Sequence, residues 1–304
     1  ISLLLMASDD IQFSTGLGEN LSSDPDTAIR QAVDSATGKL SGPPAICLTL
    51  PDGYDIRFDR ILKSMTTRLG NQCPVFGGAA GFQWSEKMET RQFYNGRVLT
   101  DSLPLLLMSG PVKYDFSIAN SWRPVGGRTR VTKARGRVVE KIGDQSAVEY
   151  YQHYLGRHDS PAREFILAVY ELDRDEFYIR APIEYNGDGS ITFSETIPQG
   201  SEVQLTEATR TDLIKDTTET SQRLQNRTGS WQPDLALAFS CAFRKEVLGT
   251  MAEKELEILR ANTPEGVPIL GFYSFGEIAP LKRGSRSLAH GATLISLVIG
   301  SSQP

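Results

Sequence analysis

Two rhythms alternate along this chain: short unbroken apolar runs, the mark of strands buried on both faces, and stripes spaced three and four apart, the mark of helices with one buried side. Pro43-Pro44-Ala45-Ile46-Cys47-Leu48-Thr49-Leu50 is a run of the first kind, and Phe58, Ile61, Leu62, Met65 and Leu69 form a stripe that Gly70-Asn71 ends. Cys73 to Gly77 then predicts a short strand entering a glycine turn, and Leu103 to Gly110 an apolar strand. About 190 residues later the succession returns: Pro233 to Phe239, a stripe at Val247, Leu248, Met251 and Leu259, then Val267 to Gly271, and finally Thr293 to Gly300. Ahead of the first copy, Asp24 and Pro25 predict a helix start, with Ala28, Ile29, Ala32, Val33 and Ala36 as the buried stripe. Ahead of the second, Leu213, Ile214 and Leu224 mark a more polar helix. The pattern predicts an α/β (α+β mixed) fold of two similar halves, residues 11–110 and 191–300, from an internal repeat. Mixed sheets pack together with helices outside, and the last strand of each half is expected as an antiparallel edge.

Residues 114–190 are β-rich, with strand signals at Phe116–Ala119, Arg137–Glu140, Phe165–Tyr170 and Phe177–Arg180. One helix interrupts them, starting at the capping box of Ser146 and Glu149 and stopping at Gly156. The turn Asn186-Gly187-Asp188-Gly189 is the expected start of the second half. Domains are therefore expected at 11–185, the first half plus the middle segment, and at 186–301.

A chain of 304 residues with 39% hydrophobic content can bury a sizeable core, and a net charge of −5 supplies no basic excess for a phosphate backbone or an anionic membrane. Nucleic acid is excluded as the main partner on this ground. Cys47, Cys73 and Cys241 form no CxxC pair, which points to a reducing compartment. Leu3 to Ala7 is too short to span a membrane, so a cytoplasmic chain without membrane insertion is expected, with Met6 as its natural start.

Several glycine and histidine patterns carry little. Gly16-Leu17-Gly18 resembles a dinucleotide loop lacking its third glycine, and the next helix starts too late to aim at a pyrophosphate. His153 and His158 lack the spacing of a helical metal pair. Gly126-Gly127 among Arg123, Arg128 and Arg130 reads as a charged hairpin rim. The second half is denser. Cys241 and Arg244 fall just past a buried strand, where open α/β sheets place ligand sites. Gly271 to Pro280 then leaves the next strand with Tyr273, Phe275, Gly276 and Glu277, and His290 opens the last strand. These residues have the make-up of a small-molecule pocket; the plainer reading pairs Glu277 with Arg244 as a structural bridge.

At these residues the chain resembles the FIST family of sensory domains. The resemblance rests on Phe239-Ser240-Cys241-Ala242-Phe243-Arg244, Gly276-Glu277-Ile278-Ala279-Pro280 and His290-x-x-Thr293, and on Pro74 to Gly81, whose Gly77 and Gly78 look like the glycine turn of the N-terminal module. Trp122 to Gly126 and Val131 to Ala134 fit as well, so the likeness runs from Phe13 to Gly300. It implies a non-enzymatic sensory module that binds an amino acid or related metabolite and acts on a signalling partner in trans, with homodimerisation as the default assembly. Arg244 would hold a ligand carboxylate, Glu277 an ammonium group, and Tyr273 and Phe275 the apolar body. No resident cofactor is expected. The resemblance also carries an alternative, haem with His290 as axial ligand, and the residue types allow a third, a cysteine hydrolase with Cys241 as nucleophile, His290 as base and Glu277 as orienting acid.

Overall fold

Asp24 caps helix α1 (Pro25–Thr37) through its carboxylate, which accepts from Thr27 N at 3.2 Å, and Pro25 opens the helix. The computed structural model describes residues 3–54, 58–82, 89–161, 165–170 and 177–301. Contacts divide the chain into two units, 1–120 with 214–289 and 293–304, and 121–213 with 290–292. In the first unit, strand β1 (Gln12–Glu19) precedes α1, and β2 (Pro44–Thr49), α2 (Phe58–Leu69) and β3 (Val75–Gly78) follow. A small ribbon of β4 (Gln92–Tyr94) and β5 (Arg97–Leu99) leads to β6 (Ser102–Ser109) and β7 (Val112–Ala119).

The second unit is a sheet with antiparallel pairings throughout. Its elements are β8 (Arg123–Arg135), β9 (Val138–Ile142), β10 (Gln145–Ser146), α3 (Ala147–Leu155), β11 (Phe165–Tyr170), β12 (Phe177–Arg180), β13 (Pro182–Tyr185), β14 (Ile191–Phe193) and β15 (Glu202–Glu207). They pair in the order β12-β11-β15-β8-β9-β14-β13, with β10 on β9. The expected capping box is present: Ser146 Oγ accepts from Glu149 N, and the Glu149 carboxylate accepts from Ser146 N. Tyr150 and Tyr151 of α3 enter the core beside Phe193, Val203 and Leu205. Arg128 lies over the Tyr170 ring at 3.7 Å, and Gly126 and Gly127 fall inside the long strand β8 rather than at a hairpin rim. The Asn186–Gly189 turn closes the β13–β14 hairpin within this unit.

Returning to the first unit, the chain forms α4 (Arg210–Thr228, its first turn counted with the second unit), β16 (Leu235–Cys241), α5 (Ala242–Leu248), a 3-10 turn, α6 (Ala252–Ala261), β17 (Ile269–Ser274), β18 (Glu277–Pro280), β19 (Ser287–His290) and β20 (Leu294–Ser301). Two sheets result, ordered β1-β6-β2-β3-β18-β19 and β17-β16-β20-β7. In each, one strand has a parallel neighbour on one side and an antiparallel one on the other: β2 between β3 and β6, and β16 between β17 and β20. The last strands β6 and β20 are therefore interior, not edges. Their apolar runs are covered on both faces, and β1 and β7 take the outer positions.

Strand alternation sorts the side chains into layers. Ile46, Phe76 and Met108 of one sheet meet Leu235, Leu237, Phe239, Ile295 and Leu297 of the other, so the two sheets pack face to face. Cys47, Val75, Leu103, Leu105 and Leu107 point the opposite way, onto α1 and α2. Ala238 and Leu294 pack with Leu259 of α6, and Ala236 and Val298 with Leu224 of α4. The first unit is thus a helix-sheet-sheet-helix sandwich. No described helix is long and apolar enough to cross a membrane.

Close approach explains the glycines of β1. A Cβ on Gly16 would sit 1.9 Å from Ala32 O, and one on Gly18 2.1 Å from Ala28 O, so α1 presses directly on the strand and no loop for a nucleotide exists there. Gly18→Ala should therefore lower the unfolding free energy by about 3 kcal/mol, whereas Gly127→Ala, where a Cβ meets nothing within 4 Å, should change it by less than ~0.5 kcal/mol. Urea denaturation of the two variants measures the difference, and equal losses would contradict the close packing.

Candidate functional site

The parallel pairs β2–β3 and β16–β17 each end in polar side chains, and the chain itself joins those two ends. β17 finishes at Ser274 in one sheet; after Phe275 and Gly276 the next strand, β18, enters the other sheet beside β3. Phe275 N donates to Ala79 O at 3.0 Å and Ala79 N to Gly276 O at 2.8 Å, which fastens the hinge. Gly276 adopts φ +143, open to glycine and strained for other residues. Across the pair, Glu277 faces Gly78 and Ile278 faces Gly77. A Cβ on Gly78 would lie 2.9 Å from Ser274 Cβ, and one on Gly77 1.8 Å from Thr49 O. Both glycines are thus required by the closeness of neighbouring strands.

Glu277 is fully buried at this seam. Ser274 Oγ lies 2.7 Å from Oε1; Oε2 accepts from Thr293 N at 3.2 Å and Thr293 Oγ1 at 2.9 Å. The Cys241 thiol also donates to this carboxyl. Four contacts tie β18 of one sheet to β16, β17 and the start of β20 in the other. Burial pushes the Glu277 carboxyl up to about 8, against the opposing pull of the bonds from Ser274, Thr293 and Cys241. The proton has one good position. Thr293 N can only donate, so Oε2 must accept; the proton belongs on Oε1, donated to Ser274 Oγ, whose own hydroxyl turns to Ser240 O at 3.3 Å.

Arg244 meets a different carboxylate from the one expected. It lies inside α5, fully buried, with Nε and Nη2 at 3.1 and 2.7 Å from Glu255 Oε1 and Nη2 at 3.0 Å from Thr217 Oγ1. Ser240 Oγ donates to the other Glu255 oxygen at 2.7 Å. Because successive side chains of β16 alternate, Ser240 faces this ion pair under the helices while Cys241 faces Glu277 between the sheets. The expected Glu277–Arg244 bridge is therefore replaced by two separate clusters one residue apart.

Tyr273 belongs to the helix-facing cluster. Its hydroxyl donates to Ala252 O at 3.4 Å, Lys245 lies 5.0 Å over its ring, and burial followed by the Glu255 charge raises its phenol. Phe275, half-buried, packs edge-on to Phe82 at 4.9 Å, and Phe82 meets Tyr54 at 5.5 Å. His290, buried at the end of β19, is grouped with Gly291 and Ala292 in the second unit, where Trp122 Nε1 donates to Ala292 O at 3.0 Å. Ser274, Glu255 and Thr217 escape a sequence reading. The one available signal for Glu255 is its spacing of four from Leu259 on the buried side of α6.

A third buried carboxylate closes the other parallel pair: Asp52 accepts from Tyr54 N at 2.7 Å, Asp101 N at 2.8 Å and Thr90 Oγ1 at 2.5 Å. Among the described residues no cluster of three or more His, Cys, Asp or Glu is placed to hold a metal ion. The three thiols are free and buried; burial drives Cys47 far up and Cys73 to about 12, which leaves both unreactive.

Comparison with known proteins follows the same outline. The chain matches the FIST N domain over residues 1–145 and the FIST C domain over residues 147–280. The uncharacterized protein MJ1623 of Methanocaldococcus jannaschii is 27% identical over 133 residues, 42% of this chain and 26% of that protein. The uncharacterized proteins Mb0898c of Mycobacterium bovis and MT0897 of Mycobacterium tuberculosis are each 23% identical over 262 residues, 81% of this chain and 65% of theirs. The chain thus spans less than two thirds of the length of these relatives.

Two outcomes test this geometry. Folding raises the Glu277 value from 4.5 to about 8, so the folded chain keeps a proton that the unfolded chain releases between those values. The resulting stability is whole below about pH 4.5 and is lost as pH rises toward 8; the decline should be on the order of 5 kcal/mol and flatten in Glu277→Gln, whose amide reproduces the protonated pattern. Thermal unfolding across that pH range reads it. Arg244→Ala strands Glu255 and should cost about 3–5 kcal/mol, with Arg244→Met/Glu255→Leu recovering much of the loss in the same assay.

Proposed function

The chain belongs to the FIST family through both of its domains, and from that premise we propose that it is a non-enzymatic sensory module whose small ligand, an amino acid or related metabolite, is read by the seam around Glu277. FIST domains are in general sensory, signal-transduction domains that bind small ligands. The observation that carries the reading is a fully buried carboxyl at the joined ends of two parallel strand pairs, held by Ser274 and Thr293 and flanked by the glycine turn of Gly77 and Gly78. Phe275, half-buried beside Phe82, is the aromatic residue of the hinge.

In this scheme Arg244 is a positioning residue: it fixes Glu255, Glu255 fixes Ser240, and Ser240 holds the strand end that carries Cys241. A ligand ammonium arriving at Glu277 would replace the hydroxyl contacts and ionise the carboxyl, which loosens or retightens the tie between the two sheets. A signal is then a change in the population of those two arrangements, passed to a partner in trans. The hydrolase alternative fares worse, because it needs Glu277 as a carboxylate to orient the base His290, and burial keeps that carboxyl protonated up to about pH 8. For the haem alternative, His290 is buried as a residue and would have to be uncovered before it could meet an iron.

Native mass spectrometry of the purified chain identifies what travels with it, and calorimetry with that compound or a panel of free amino acids follows. Binding at pH 6.5 should release close to one proton, seen as a heat that varies with the ionisation enthalpy of the buffer, and Glu277→Gln should abolish the variation. Saturable binding with no proton released, or a Soret absorption band from a co-purified haem, would overturn the assignment.

A further inference from the structure

The sandwich has an opening at the end opposite the Glu277 seam. Here β16 and β17 begin, β6 and β20 end, and a cavity of about 370 Å³ lies between the two sheets. Leu4, Met6, Phe13, Met108, Leu235 and Ile299 line it. The volume falls in the range of small-molecule sites, and the two methionines give its wall an adaptable surface.

One wall is a strap. Residues 3–8 run without helix or strand pairing, and their side chains alternate: Leu3 and Leu5 are 81% and 83% exposed, while Leu4 and Met6 turn inward against the core shared by the two sheets. Among the described residues no hydrogen bond joins the backbone of the strap to either sheet; Ser8 Oγ accepts from Asp10 N and Ile11 N at its base. Leu4 and Met6 are the apolar side chains that seat it against the core.

The charge at the rim selects the ligand. Asp234 lines the cavity, its Oδ2 accepts from Ser301 N at 3.0 Å, and Oδ1 accepts no hydrogen bond among the described residues. None of the described lining residues is basic. An anionic head such as a fatty-acid carboxylate would face a like charge without a counter-ion, and a wholly apolar guest would leave the rim carboxylate unused. We propose that this cavity is a ligand site for an amphiphilic amine, with an apolar chain or ring between the sheets, under the strap, and a protonated amine on Asp234.

Decylamine, decanol and decanoate, titrated below their aggregation concentrations and read by calorimetry, separate the contributions of tail and head. The expected order is amine, then alcohol, then carboxylate, with the amine favoured over the alcohol by roughly fivefold, as an ion pair at an exposed rim allows. Asp234→Asn keeps an acceptor for Ser301 N and should bring amine and alcohol to the same affinity while leaving the alcohol unchanged. Ile299→Phe should reduce all three. No binding of any probe, equal binding of all three, or an amine preference that survives Asp234→Asn would overturn the proposal. Glu277→Gln should leave the three affinities as they are, which separates a failure here from a failure at the seam.

Discussion

A single carboxyl joins the two sheets of the sandwich. Apolar packing between Phe76, Met108, Leu237 and Phe239 brings the sheets together but fixes no unique angle or sliding position between them, since dispersion and burial are nearly indifferent to small displacements. Glu277 limits that freedom: it sits on a strand of one sheet and is bonded by residues of β16 and β17 and by Thr293, just before β20, in the other. The glycines at 77 and 78, the two-residue hinge and the hydroxyls at 274 and 293 all follow from the need to bring those strands within hydrogen-bond reach of one buried group. Burying a carboxyl in this way is costly unless its oxygens find partners, and here Oε1 meets Ser274 while Oε2 meets Thr293 twice.

The second buried acid solves the same electrostatic problem differently. Glu255 is satisfied by a guanidinium in addition to hydroxyls, so one acid of the region is neutral by protonation and the other by pairing. The strand that separates them is one residue thick. Ser240 and Cys241 are chain neighbours, yet the alternation of β16 sends them to opposite faces and keeps the Arg244 charge on the helix side. That geometry is why Glu277 has no cation to lower its value.

Much of this fold is written in local pattern. The strands at 165–170 and 177–180 lie where their signals place them, α1 and α3 start and stop at the residues their caps and glycines prescribe, and α2 stops before Gly70. β8 is hidden because it is largely exposed and interrupted by Gly126-Gly127, so its thirteen residues show no buried period. The stripe from Val247 to Leu259 looks continuous, but Gly249 at φ +55 divides it into α5 and α6. At the site, composition identifies Cys241, Arg244 and Glu277 as chemistry-bearing, while their partners depend on which face of a strand each residue occupies. The hinge at Phe275 and Gly276 leaves no periodic trace, since an apolar strand on either side of it reads like one longer strand. Asn186–Gly189 shows the converse: a clear turn signal says where the chain reverses but not which unit it belongs to.

The two sheets exchange strands across the sequence. β7, within the stretch matched to the FIST N domain, completes the sheet built from β16, β17 and β20, and β18, within the stretch matched to the FIST C domain, pairs with β3 in the other. The two matched stretches are therefore not separate units of folding. A gene fragment ending near residue 145 would strand β7 without its neighbour and leave β3 with an open edge, exposing main-chain groups that template aggregation. In this chain the interlaced strands make the two matched stretches depend on one another for a closed sheet edge.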